Sequence, residues 1–561
     1  MGCSRRGLVA AALALTACSA SPTIDADTPA VMPPGPLRLA LETEFYSLDP
    51  AEANDTVSRR ITGQIFDTLT GWDPHADPPR LVPQILAALP APSADGLTWK
   101  LQLRQGADAP RFARDVCLGD RPRTVRASDV VASLQRIDPA RHASAGLIAG
   151  RFADMRADDE RGTVTLQLTR PQPELPALLA SAALAIVPPE CVAYYDGRDA
   201  EHPKFARHPV GSGPYRLDRA ASEFPRTAVL VANPDLSPRT AAGPCPLPGA
   251  SPIVLSHFSD PEPALRSFQA GELAALTPGQ AQFAEVVAHG AIVAHALPPG
   301  TRLQRFPVLS SDLLVFRMRD PELGQHADPR IDAEHRALRR AIALAFDAAR
   351  YQRVVRNDAW ATPRARIVPR GIAPDDAPLH RFAPPAADLQ QARAVLAAAG
   401  LGETPRTLRY WTGTGEGEQQ EAAILREALR PLGITVAVTH RANYLIDVLG
   451  GSTDAQMFGL RFDADYLDAG NFLSPFVCDD PGNYSGYCDP AYDAAFATFA
   501  ALPAGPGRDH AAAELERKLG EDVPVRPIDQ PEAWYLAQPW LHGLVRHPLV
   551  GLRLELLCPD R

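Results

Sequence analysis

Lysine is almost missing from this chain: Lys100, Lys204 and Lys518 are the only three among 56 basic residues, so arginine carries nearly all the positive charge. Bases are outnumbered by 66 acids, and the net charge of −10 excludes the basic face that non-specific nucleic-acid binding needs. Beyond the N-terminus no apolar run approaches the ~20 residues that span a bilayer, so no internal membrane helix is expected. There is no Cys-x-x-Cys pair and no His-Glu-x-x-His; Glu334-His335 has no second His four residues on, and the fourteen His are scattered. His202 and His208 flank a proline-containing loop and read as surface residues. No metal site and no cofactor are expected. Gly211-Ser212-Gly213 lacks the Gly-x-Ser-x-Gly spacing of a nucleophile elbow, and no other catalytic constellation is present. The chain does not read as an enzyme.

What is present is a long, apolar chain. With 45% hydrophobic residues it is not disordered, and 561 residues exceed the ~250–300 that one core accommodates, so two or more lobes are expected.

The first eighteen residues read as an address. Arg5 and Arg6 precede the short apolar run Leu8 to Leu15, followed by Leu15-Thr16-Ala17-Cys18. The run is too short to span a membrane and reads as a cleaved export signal. Its ending resembles the bacterial lipobox, in which the cysteine, here Cys18, is acylated and becomes the mature N-terminus; cleavage after an alanine near residue 20 is the alternative. Loss of residues 1–17 removes two arginines and no acid, taking the net charge from −10 to −12. Residues 18–36, rich in Pro, Ala, Thr and Asp, read as a flexible tether. The body is then expected outside the cytoplasmic membrane, held to it by lipid alone.

Six cysteines remain after Cys3 and Cys18, and six allow fifteen complete pairings. Only Cys478 and Cys488 are close in sequence, flanking a Gly/Asn/Ser-rich loop that a bridge would close. The partners of Cys117, Cys191, Cys245 and Cys558 stay open.

The pattern along the chain is mixed α/β, without internal repeats. Strands are expected at 37–41, 97–103, 164–168 and 434–438 from alternation or short apolar runs. Helices are expected at 58–69, from Ser128 as a cap, at 264–270, 336–355, 388–399 with Asp388 as cap, and 418–429. Linkers rich in Pro and Gly fall near 73–79, 237–252 and 369–385.

Several segments together resemble the solute-binding family 5 of ABC importers, the peptide and nickel binders. Ser47-Leu48-Asp49-Pro50 resembles that family's entry motif. Gly96 to Gly106 is similar to its hairpin, Ala127 to Arg136 to its "DVvyslkR" helix, and His208 to Leu217 to its "nPvGTGPYkl" segment. In the second half, Leu338 to Asp347, Ala392 to Gly400, Leu429 to Thr435, Asp465 to Leu473, Asn483 to Ser485 and Asp489 to Asp493 follow in the family's order. Two departures stand out. Ala109 to Asp120 replaces a short turn with a longer segment, and Phe462 stands where the family commonly carries a tryptophan.

The resemblance implies a periplasmic-binding-protein type II-like α/β fold: two large lobes joined by a hinge, an extra middle domain, and a ligand cleft between the lobes. Lobe I would comprise 37–72, 186–308 and 534–561, the middle domain 73–185, and lobe III 309–533. It further implies a monomeric receptor that captures a short peptide by lobe closure and hands it to ABC permease subunits. A nickel chelate, haem, glycan or opine is the alternative cargo, and a hydrolase or a sensor on the same scaffold the rival class.

A free peptide is a zwitterion, and burying either charge unpaired is costly, so the pocket must answer both. Asp465 matches the acid that meets the ammonium in peptide-binding relatives; a cap or turn role is its alternative, and Asp463 and Asp468 are the fallbacks. Glu44 lines the site or is an exposed loop acid. Tyr46, like Phe45, is a pocket aromatic or core. Trp411 and Thr412 precede the glycine-rich loop Gly413 to Gly417, placed where relatives pair backbone with peptide, a mode that binds without reading side chains. That loop lacks a Walker lysine and is no phosphate cradle. Arg461, beside Phe462 and Asp463, is the candidate partner of a ligand carboxylate, since a guanidinium grips it with two bonds. Gly211, Gly213 and Pro214 are expected to fix a turn.

Overall fold

The computed structural model describes residues 35–53, 55–76, 79–138, 142–197, 205–237, 251–288, 291–293, 296–357, 361–372, 382–402, 405–442, 444–449, 453–547, 549 and 551–560. The export signal, Cys18, His202 and Cys245 lie outside the described residues.

Alternating burial along Leu37–Leu41 starts a twelve-stranded sheet. Its path runs from Ile434–His440 through Arg406–Thr412, Met457–Asp463 and Ser310–Phe316 to the long strand Val525–Ala537. It continues through Ala275–Leu276, Leu37–Leu41, Ile253–His257 and Thr227–Ala232 to Tyr215–Leu217. Val525–Ala537 belongs to both halves: its first residues pair with Ser310–Phe316 and Ala361–Pro363, its last with Arg302–Pro307 and Ala275–Leu276. Arg302–Pro307 and Ser310–Phe316 follow one another in the chain, so two stretches cross between the halves side by side.

Apolar side chains gather into separate cores. One contains Leu313, Phe316, Ile342, Phe346, Leu425 and Phe472, around the 310–316 end of the sheet. Two others flank the opposite end, one with Leu39, Ile61, Phe205 and Leu255, the other with Phe268, Phe283 and Trp534. The fourth surrounds a three-stranded sheet of Thr98–Gln102, Thr163–Leu168 and Phe152–Asp158, and takes in Tyr466 from the far half.

Some helices differ from expectation, each for a local reason. Helix Thr56–Ile65 stops before Phe66, whose extended backbone leads toward strand Thr70–Trp72. Ser128 is not a cap: helix Ala127–Gln135 starts after Arg126, whose backbone N–H donates to Asp129 at 2.7 Å, while Ser128 bonds to Asp159. The long helix expected over 336–355 is two, Pro329–Ala345 and Ala348–Val355. Buried Phe346 is extended between them, and Asp347 caps the second by accepting from Arg350 N at 2.8 Å. Asp388 caps Leu389–Ala398 in the same way.

The motif residues hold the bodies together. Asp49 accepts both guanidinium nitrogens of Arg136, joining the 47–50 turn to helix Ala127–Gln135. Ser212 donates to buried Asp67 at 2.8 Å. Gly213 donates its N–H to Ile65 O at 2.8 Å, and a Cβ there would lie 2.6 Å from the Ile65 carbonyl carbon and 2.7 Å from Gln64 O. Both obstacles are backbone, so Gly213→Ala is expected to cost about 1–3 kcal/mol, read as a lowered denaturation midpoint. Disulfides join Cys117 to Cys191 and Cys478 to Cys488, the latter closing a ten-residue separation with Cα atoms 4.4 Å apart. Cys558 is also disulfide-bonded.

Candidate ligand-binding site

The sheet brings strand ends from distant sequence to one edge. Arg406–Thr412 and Met457–Asp463 run parallel, so Thr412 and Asp463 finish on the same side. Ser310–Phe316 runs against both Met457–Asp463 and Val525–Ala537, and its register sets Asp312 opposite Arg461 on one side and Asp529 on the other. Three charged residues of three neighbouring strands thereby stand in a row. Helix Ala348–Val355 and its C-cap add Tyr351 and Arg356; helix Glu416–Leu429 adds Gly417, Glu418 and Glu421; Tyr444 and Gly459 complete the wall. With Asp312 and Arg461 they line an open cavity of about 360 Å³.

The ion pairs of this wall are closed on themselves. Arg461 donates to both Asp312 oxygens, at 2.8 and 2.9 Å. Arg356 bonds to Asp312 and, at 3.1 Å, to Asp529, which also accepts from Gln352 at 2.7 Å. Burial pushes the Asp312 carboxyl upward, but Arg461 and Arg356 hold it well below the usual carboxylate range. Asp529 moves the other way, raised by burial and by the charge of Asp312. Burial likewise lifts Glu421 to about 7 against the opposing hydrogen bond from Tyr410 Oη, 2.6 Å long.

Asp465 follows the same strand at the junction of the two halves. It forms an ion pair with Arg59 at 3.5 Å, and both side chains keep about a third of their surface exposed, 31% and 32%. Arg59 belongs to helix Thr56–Ile65 of the opposite half. The loop is set by Asn471, whose side-chain oxygen accepts from Asp465 N at 2.7 Å. Burial raises the Asp465 carboxyl above its ordinary value, Arg59 draws it down, and Asp463 adds to the rise.

The remaining sequence candidates divide. Thr412 lines the cavity with Arg461. Trp411 is buried and turned elsewhere, donating from Nε1 to Asp454 at 3.1 Å under the Arg441 guanidinium. Gly413 accepts from His440 at 2.9 Å through its carbonyl. Phe462 packs edge-on against Phe472, with Tyr484 nearby, around a small apolar cavity, and Asp463 is exposed beside it. Glu44 is paired with Arg226 at 2.9 Å, Tyr46 is exposed, and Phe45 is core, packed on Phe224. Asp468 caps helix Ala469–Leu473 and is held by two bonds from Arg508. His208 stacks on Tyr195.

Sequence reasoning missed Asp312, Arg356, Glu421, Asp529 and Arg59. Two of these carry a signal: Asp312 follows two serines and directly precedes the apolar run Leu313 to Phe316 in a strand buried throughout, and Asp529 follows Ile528 within a strand buried over its first seven residues. Acids inside otherwise buried strands need partners. Arg59 looks like any helix-surface arginine.

Two bodies joined by paired crossing strands, with opposite charges facing each other at the junction, define a binding protein of the two-lobed, hinged kind. The comparisons agree: the chain belongs to the bacterial extracellular solute-binding proteins, family 5, whose model matches residues 80–484. Its fold is the type II-like periplasmic-binding-protein fold with an extra middle domain. The peptide-bound periplasmic binding protein DppA of Helicobacter pylori superposes with a TM-score of 0.75 at 19% identity, over 94% of this chain and 98% of that one. AgaA of A. tumefaciens R10, solved with agropinic acid, gives 0.74 at 19% identity, over 94% and 99%. By sequence, the glutathione-binding protein GsiB of Escherichia coli O1:K1 / APEC is 32% identical over 184 residues, 32% of this chain and 31% of that protein. The chain thus aligns with about a third of that relative's length. Among the described residues no helix is long and apolar enough to cross a membrane, and no group of three or more His, Cys, Asp or Glu is arranged to hold a metal ion.

Proposed function

We propose that this chain is the substrate-binding lipoprotein of an ABC importer, anchored through Cys18, and that it captures a short peptide between its lobes and presents it to the permease. The lobes are those read from the sequence, 37–72 with 186–308 and 534–561 against 309–533, with 73–185 as the middle domain; the crossing strands are the hinge. The observation that carries the reading is the Asp465–Arg59 pair. An acid from one half and a base from the other, both partly open to solvent, are the two charges a zwitterion requires. As the lobes part and close on a ligand, the pair separates: the ligand ammonium takes Asp465 and its carboxylate takes Arg59. Arg461 is less suited to the carboxylate, because Asp312 already occupies its fork. A ligand that touches both lobes only when they are shut shifts the population toward closure.

Asp465→Asn should weaken binding of a dipeptide or tripeptide by about 1–2 kcal/mol, roughly five- to thirtyfold, by calorimetry. N-acetylation of the same peptide should cost wild type a similar factor and the variant little more. Unchanged affinity in Asp465→Asn removes this residue from the ammonium site.

A further inference from the structure

The cavity beside Arg461 carries more acid than its bases can use. Asp312, Asp529, Arg356 and Arg461 form a closed set of two acids and two bases in which every member is paired. Glu418 and Glu421, one turn apart on helix Glu416–Leu429, also line the cavity and form no ion pair among the described residues. The helix N-terminus offers Glu418 a reason to be there. It offers none to Glu421, which lies beyond the first turn and is nine-tenths buried. Only its Oε1 is bonded, to Tyr410; Oε2 has no hydrogen-bond partner among the described residues. Gly459 makes the room, since a Cβ there would lie 3.1 Å from Tyr410 Oη and 3.3 Å from Glu421 Oε1. Arg356 is close enough to favour the ionised form, but burial outweighs it, so an ionised Glu421 would draw its remaining counter-charge from whatever occupies the cavity. At about 360 Å³ the cavity falls within the roughly 300–1,000 Å³ typical of small-ligand pockets. Arg461, which lines it, belongs to the strand Met457–Asp463 that ends just before Asp465.

We propose that this cavity receives a cationic group of the cargo, an ammonium or guanidinium side chain, with Glu421 and Glu418 as its counter-ions. The inference deepens the cargo-binding reading above and rests on it. The cavity then selects among cargoes by charge, whereas Asp465 and Arg59 meet the two termini that every peptide has.

The test is calorimetry at pH 8 with Ala-Lys-Ala, Ala-Ala-Ala and Ala-Glu-Ala, on wild type and on the Glu418→Gln/Glu421→Gln double variant. Wild type should bind the lysine peptide about tenfold or more tighter than the glutamate peptide, and the double variant should lose that difference. Equal affinities in wild type, or a preference that survives both substitutions, overturn the proposal while leaving peptide capture intact. If none of the three peptides binds, it is the peptide reading that fails, and agmatine then decides the cavity. Thermal stabilisation of wild type by millimolar agmatine, lost in the double variant, supports a cation site; no stabilisation overturns it.

Discussion

Asp312→Ala is expected to lower the unfolding free energy by about 2–3 kcal/mol, less than the cost of orphaning a buried charge, because Arg461 is half exposed and Arg356 keeps Asp529. Asp312 accepts three of the contacts that hold this wall together, two from Arg461 and one from Arg356. Without it, Arg461 has no paired acid across the strand. Asp529 blunts the loss: it already accepts from Arg356 at 3.1 Å and keeps that pair, so the value should fall near the lower end. Asp312→Leu with Arg461→Met should cost far less, because an apolar pair of similar volume leaves no orphaned charge. The sign with pH follows from the depressed carboxyl. Its contribution is present above the unfolded carboxylate pKa near 4 and is lost as pH falls from there through its lower folded value. Urea titrations at pH 7 and pH 3 check both points; a change under about 0.5 kcal/mol at pH 7 would falsify the assignment of Asp312 as keystone.

How far the sequence reaches depends on the range of the interaction. Strand Leu37–Leu41, the Asp388 cap and the Cys478–Cys488 closure are local, and each reads directly from spacing. Asp49 and Arg136 stand 87 residues apart, and nothing local says that the two motif residues meet. The same limit hid most of the cavity. Asp312, Arg461 and Asp529 become neighbours only through the register of three strands, one of which lies more than 200 residues from the first. Trp411 illustrates the converse: a one-residue step along a strand turns a side chain to the other face. Thr412 therefore lines the cavity, and the tryptophan beside it packs against Asp454.

Glu421→Gln should make the protein more stable at pH 8, not less. Burial holds the Glu421 carboxyl at about 7 against 4.5 for the free group. Wild type therefore folds with this group protonated near pH 5. As pH rises from 4.5 through 7, the unfolded chain gives up the proton first, and the folded state loses stability by about 1.4 kcal/mol per unit of difference, roughly 3 kcal/mol in all. Above pH 7 the loss is complete. Glutamine keeps the shape, and its side-chain oxygen still accepts from Tyr410, while the charge is gone. The variant and wild type should match near pH 4 and diverge with pH, to an advantage for the variant of roughly 1–3 kcal/mol at pH 8 in denaturant titrations without ligand. A variant less stable than wild type at pH 8 would mean that the carboxylate is already neutralised in the folded protein. The cation proposed for the cavity would then have nothing to do. Retaining an acid that destabilises the empty protein makes physical sense only where a bound positive charge repays it, and the prediction ties the stability of the free receptor to the charge of its cargo.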